Sequence, residues 1–300
     1  MRSKLAKETY KLWAPRVGKN TPLALEWVSM KTCAYCGKGC KPSKEHLFPK
    51  WVLKRQPESD ARFALHENRI SERVATIRDV CRPCNNGPLS ELDTYVLGLY
   101  DRYFGHPVSG KSSVNFACDY ELLARWLLKT LYNSARINNT RPDELQPFKE
   151  YVLGGGSTPK EFRIFGFLIL PYKLSLKEQQ RLSPENDGIT HLFPRNIGVT
   201  QFAGRISGTD YLLLGRAVLL NSYCMVVSIL PPGLPRSTRR TMMDDITDTL
   251  RKMFAGLRVI DPRFKSVRLY PSTENIVSLK RDSLSLFADA YKDYFRRRRK

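Results

Sequence analysis

Apolar positions recur every three or four residues in four stretches of the chain and predict four helices. Leu89, Leu92, Val96 and Leu99 form the first, which opens at Pro88, where a fixed φ and a missing N–H suit the first helical turn. Asp119 reads as the N-cap of the second, with Leu122, Leu123, Trp126, Leu127 and Leu131 as its apolar stripe. Arg125 and Lys129 fall off that stripe and are expected to form a solvated charge row. The third helix covers 239–257 through Met243, Ile246, Leu250, Met253 and Leu257, and the fourth carries Leu284, Phe287, Tyr291, Tyr294 and Phe295. Between the second and third, residues 161–170 and 197–206 read as strands. Residues 211–230 match a spanning helix in length, but they hold Arg216 near the middle, which costs roughly 2.5–3.5 kcal/mol at the centre of a span. Asn221-Ser222 is a natural turn, so this stretch reads as a hairpin of two buried strands.

Gly105 to Lys111, with Pro107 and Gly110, breaks the pattern and marks a boundary between residues 1–105 and 106–300. Strands grouped between helices give the second part an α+β character. Residues 1–30 show no clear period and are expected to wrap the first part. Residues 55–80 are polar and read as a loop, with a short strand near 73–80. Gly154-Gly155-Gly156-Ser157 lacks the Gly-Lys-Ser ending of a phosphate loop and reads as a hinge or connection.

Charge changes the picture more than composition does. With 42% hydrophobic residues and 300 positions the chain can bury a real core, yet its formal net charge is +21. Residues 1–105 hold 19 basic and 11 acidic side chains, and the remainder holds 31 and 18, so the excess runs through the whole chain. A polyanion is the default partner of such a protein. The tail Arg296-Arg297-Arg298-Arg299-Lys300 reads either as a nucleic-acid arm or as a solvated end.

Seven cysteines do not suggest disulfides, because the first residues are charged and lack the apolar core of a secretory signal. A cytoplasmic, reduced protein without a membrane span is therefore expected. Cys33-Ala-Tyr-Cys36 and Cys81-Arg-Pro-Cys84 are two C-x2-C knuckles, which together can close a tetrahedral all-thiolate zinc site with no open position. Forty-four residues lie between Cys36 and Cys81, so the chain must fold back on itself to bring the pairs together. Cys40 is expected to be a bystander, and Cys118 and Cys224 to be core residues. Glu45-His46-Leu47-Phe48-Pro49 lies between the knuckles and Asn85-Asn86-Gly87 follows the second. An acid, an imidazole and a carboxamide have the chemistry of a second, catalytic metal site and a general base. Lys44, Lys50 and Arg82 flank these residues and are candidates for phosphate contacts.

Residues 33–93, about a fifth of the chain, resemble an HNH endonuclease of the zinc-stapled kind with a ββα-metal core. The pattern is C-x2-C, acid-His-x-x-Pro, then C-x2-C-Asn, an order similar to the phage resolvases of the endonuclease VII type. The resemblance implies that His46 is the general base and that Glu45 and Asn85 hold Mg2+ or Mn2+, with Asn86 the ligand if the register shifts by one. The family's middle asparagine has no clear counterpart, Asn68 being the nearest. The implied activity is metal-dependent hydrolysis of DNA, RNA not being excluded, in a setting such as phage defence or restriction. A homodimer or a partner protein of a defence system would fit. A zinc-stapled nucleic-acid-binding module without cleavage is the alternative, and a scaffold whose basic surface binds protein or membrane is a third.

Overall fold

The computed structural model describes residues 30–55, 62–64, 69–71, 75–106, 108, 112–170, 197–205 and 212–275. Apart from Met30, the expected wrap lies outside these residues, as do the fourth helix, the basic tail and Asn68. The architecture is a mixture of helices and antiparallel sheets. No helix among the described residues is long and apolar enough to cross a membrane.

The first part is built from short elements. A hairpin of β1 (Lys31–Thr32) and β2 (Gly39–Cys40) carries the first knuckle in its turn, where Gly37 adopts a φ of 73° that favours glycine. Strand β3 (Pro42–His46) leads to α1 (Lys50–Arg55). Two three-residue strands, β4 (Arg62–Ala64) and β5 (Arg69–Ser71), pair within the segment read as a loop; each is too short to show a period. Strand β6 (Thr76–Cys81) returns antiparallel to β3, pairing Glu45 with Ile77 and His46 with Thr76. The chain then turns directly into α2 (Arg82–Asn86) and α3 (Pro88–Leu99). Gly87 forms the elbow between them: a Cβ there would sit 2.8 Å from the Pro83 carbonyl oxygen. Helix α3 begins at Pro88 and buries Leu89, Leu92, Val96 and Leu99, the stripe the spacing predicted. A π-helical turn, Tyr100–Phe104, ends it.

The second part is organised around one sheet. Strand β7 (Val114–Ala117) precedes α4 (Tyr120–Asn138), and a short α5 (Lys149–Val152) follows. Strands β8 (Phe162–Leu170), β9 (Ile197–Arg205), β10 (Leu212–Leu220) and β11 (Tyr223–Ile229) are antiparallel neighbours in the order β8-β11-β10-β9. Helix α6 (Arg236–Met253) comes next, and then β12 (Arg258–Ile260), β13 (Ser266–Leu269) and β14 (Pro271–Asn275). β12 and β14 both pair with β8, and β13 pairs with β7. The hairpin reading of 211–230 holds: β10 and β11 meet at Asn221, whose φ of 54° makes the tight turn. Arg216 is tolerated inside because its guanidinium meets Glu144 Oε2 at 3.1 Å and the Thr140 carbonyl at 3.0 Å.

Alternation sorts the sheet's two faces. Ile164, Leu168, Val218, Leu220, Met225 and Val227 belong to the core shared with α4, while Phe165, Phe167, Ala217, Leu219 and Val226 pack with Met243, Ile246 and Leu250 of α6. The first of these cores also includes Val52, Val80, Leu89, Leu92 and Val96, so packing continues across the stretch 105–111. Helix α4 lies at the middle of it. From Leu123 to Ala135 every residue except Arg125 is buried, Lys129 among them. The expected solvated row is thus not there: Arg125 is half-buried and donates to the Val152 carbonyl, and Lys129 is 1% exposed. Asp119 caps α4 as its sequence position predicts, its carboxylate accepting from the Leu122 N–H at 3.0 Å. Asp119→Ala is expected to cost about 1 kcal/mol, or about 1.5–2 °C in Tm. An unchanged melting curve would show that this cap contributes nothing.

Candidate metal and active site

The two knuckles come together at the junction of two hairpins. Cys33 and Cys36 sit in the β1–β2 turn, Cys81 ends β6 and Cys84 lies within α2. Their four sulfurs all lie within 4.8 Å of one another. Cys36 and Cys81 Sγ are 3.7 Å apart, which matches the edge of a ZnS4 tetrahedron, roughly 3.8 Å for a Zn–S bond of about 2.3 Å. Backbone N–H groups of Cys81 and Cys84 point at Cys33 Sγ and Cys81 Sγ, at 3.3 and 3.4 Å. Burial raises the Cys33 thiol, but backbone donors from Cys81, Cys36 and Tyr35 outweigh it and bring it down to about 7. Burial pushes Cys84 and Cys81 up, so a cation at the centre is what would hold all four as thiolates. The residues fit zinc. Cys40 stands outside the cluster, Cys224 is core, and Cys118 is half-buried with its thiol raised to about 12 by burial.

One extra residue in β6, between Ile77 and Val80, bulges the strand against β3. It frees the Asp79 carbonyl to accept from the Ala34 N–H at 2.8 Å and so ties β6 to the first knuckle. It also places the Asp79 carboxylate against Arg136 of α4.

Directly beside the cysteines opens a cleft of about 290 Å3 whose lining includes Lys44, Glu45, His46, Lys50, Asn85 and Asn86. Six residues singled out in the sequence are thus gathered in one place. The seventh, Arg82, is exposed on α2 and is not part of the lining. Asn85 follows Cys84 on α2 and turns back to β3: its Nδ2 donates to Ser43 Oγ at 3.0 Å and to the Lys44 carbonyl at 3.2 Å. Ser43 Oγ in turn donates to the Val80 carbonyl at 2.7 Å. With Nδ2 held, the carboxamide oxygen is the end left to act as a ligand. Asn86 lines the cleft without a comparable brace and is exposed.

His46 is half-buried at the end of β3. Burial, then Lys50 and Lys44, hold its pKa below the ordinary value of 6.5. Its imidazole is therefore neutral at pH 7 and able to accept a proton. Glu45 is 4% exposed. Burial pushes its carboxyl up, and Lys129 opposes that shift. Glu45 Oε1 lies 2.8 Å from Lys129 Nζ and 3.5 Å from Asn133 Nδ2. One carboxylate oxygen is therefore already engaged, and a cation sharing Glu45 and Asn85 would draw on the other. Oxygen donors of this kind suit Mg2+ or Mn2+. Trp51 is neither fully core nor a free platform: it lines the cleft, stacks edge-on against Tyr100 at 5.4 Å and carries the Arg55 guanidinium over its ring.

No family model, curated protein or solved structure matches the chain. The site therefore has to be read from its own chemistry. Three residues that sequence reasoning passed over, Asp93, Tyr35 and Asn133, belong to it, as does Lys129, which it placed in a solvated row. Asp93 lines the cleft, and its Oδ1 accepts from Lys129 Nζ at 2.7 Å and from the Trp126 indole at 3.1 Å. Tyr35, between the two cysteines of the first knuckle, donates to Asn133 Oδ1 at 2.7 Å. Tyr35 and Asn133 thus connect the knuckle to Glu45, and Lys129 joins Glu45 to Asp93. The available signal was spacing: Trp126, Lys129, Asn133 and Arg136 are three or four apart and share a face of α4.

Proposed function

We propose that this cleft is the active site of a metal-dependent endonuclease of the HNH kind, hydrolysing phosphodiester bonds of DNA, with β3, β6 and α2 as its ββα core and zinc on the four cysteines. The observation that carries the reading is the convergence of Glu45, His46 and Asn85 with Lys44 and Lys50 on one cleft next to the cysteine cluster. A binding-only zinc knuckle has no use for an acid, a neutral imidazole and a braced carboxamide at one spot. Glu45 and Asn85 would hold the divalent cation. The chemistry such a cation supplies is neutralisation of charge on the scissile phosphate and the departing 3′ oxygen. His46 takes the proton from the attacking water at an imidazole nitrogen. Lys44 and Lys50, both exposed at the rim, attract and align the phosphodiester. The product carries a 5′ phosphate.

The test is cleavage of supercoiled plasmid, single-stranded DNA and RNA by the zinc-loaded full chain, with Mg2+ or Mn2+ added and omitted. Cation-dependent cutting of DNA is the expected result, and nicked rather than linear product would indicate one active site per event. Salt-sensitive DNA binding with no cutting under any cation would replace this reading with the silent binding module, and cutting of RNA alone would reassign the substrate. Replacing Lys44 and Lys50 together by Gln should weaken DNA binding and lower the slope of log K against log salt by about 1.8. A slope equal to the wild type would remove both lysines from the interface.

A further inference from the structure

Lys129, buried behind Glu45 and Asp93 of the cleft lining, plays no part in the chemistry above. Its ammonium meets Glu45 Oε1 at 2.8 Å and Asp93 Oδ1 at 2.7 Å, and its nitrogen lies 3.5 Å from the Leu89 carbonyl. A buried ammonium persists only where its charge is balanced and its protons are accepted. Here β3 supplies one carboxylate and α3 the other. The arrangement is braced from α4 itself, since the Trp126 indole fixes Asp93 and the Asn133 amide reaches the same Glu45 oxygen. The charges matter as much as the distances. One ammonium between two carboxylates leaves this cluster with one net negative charge, which offsets part of the positive charge that Lys44 and Lys50 bring to the cleft. Lys129 without Asp93 would merely neutralise Glu45.

We propose that Lys129 is a positioning residue that acts through Glu45. It pins the carboxylate by Oε1 and so leaves the other oxygen for the cation. The proposal rests on the reading of the cleft as a metal-dependent active site, and it gives α4, beyond the boundary expected near residue 105, a direct part in that site. Groups that orient a metal ligand typically change metal affinity or activity about 10–100-fold when removed.

The experiment titrates Mn2+ into the zinc-loaded full chain and reads free Mn2+ by its paramagnetic resonance signal, for wild type, Lys129→Met and Lys129→Arg, with zinc content and thermal melting measured on each. Both variants are expected to bind Mn2+ about 10–100-fold more weakly at unchanged zinc content. Lys129→Met loses the group that pins Oε1. Lys129→Arg keeps the charge but brings a planar fork that takes both carboxylate oxygens. The arginine variant retains the counter-charge and carries the test should the methionine variant fail to fold. Wild-type affinity in the folded variants would reduce Lys129 to a structural counter-ion, and tighter binding by Lys129→Met would make it a competitor of the cation; either overturns the proposal. A wild-type chain with no affinity for Mn2+ would sink the metal-site reading and this proposal with it. A wild type that binds and variants that bind equally would sink the positioning role alone.

Discussion

His46→Ala is expected to lower cation-dependent DNA cleavage by about 10²–10⁴-fold, the range over which a positioned general base acts, while leaving zinc content and Tm unchanged. Two features of the structure make the fold indifferent to the change. His46 is half-buried rather than core, and it sits at the last position of β3, where its backbone still pairs with Thr76. The chemistry would be far from indifferent. Among the described residues lining the cleft His46 is the only imidazole, and burial together with Lys50 and Lys44 keeps it unprotonated at neutral pH. An interaction needed only on the way to the transition state lowers kcat and kcat/KM together. DNA affinity measured in Ca2+ should therefore stay at the wild-type level while the rate collapses. Equal cleavage by both proteins, or a fall explained entirely by weaker DNA binding, would take the base role away from His46.

The parts of this site that could be read from sequence share one property: their chemistry is fixed by local spacing. Each C-x2-C pair places two sulfurs on one turn, and Cys84-Asn85 places a thiol and a carboxamide on successive positions of one helix. The stripe Leu89, Leu92, Val96 and Leu99 was legible because α3 has one wet face, and the 211–230 hairpin because Asn221-Ser222 interrupts two apolar runs. Helix α4 lacks the contrast such reasoning needs. It is buried nearly all round, packed between the first part of the chain and the sheet, so no polar face betrays which charges lie inside. Lys129 and Asn133 look like surface residues until the partners that satisfy them, Glu45, Asp93 and Tyr35, are brought in from 36 to 98 positions away. Arg216 hides in the same way, because its partner Glu144 lies 72 residues earlier. Long-range pairing of buried charges leaves no periodic trace.

Removing zinc should have the larger structural effect. Zinc binding to structural thiolate sites is worth about 10–16 kcal/mol in small peptides. Even a third of that, lost from a chain this size, would lower Tm by about 5–8 °C. The loss should be local rather than uniform. The cluster joins the β1–β2 turn to the β6–α2 corner, and Tyr35 carries that constraint on to Asn133 and Glu45. The face of the sheet that packs on α6 has its own core of Phe165, Phe167, Val226, Met243, Ile246 and Leu250, with no contribution from the cysteines of the cluster. Chelation, or Cys84→Ser, is therefore expected to abolish cleavage and to raise amide exchange across 31–46 and 76–86, while β8, β11 and α6 keep their protection. Zinc added back to the chelated protein should restore both exchange protection and activity. A protein shown by metal analysis to be free of zinc, yet with unchanged exchange in 31–46, would mean that the four cysteines are held by packing alone. Glu45, His46 and Asn85 would then owe their positions to the bulged β3–β6 pair and to α4, not to the metal.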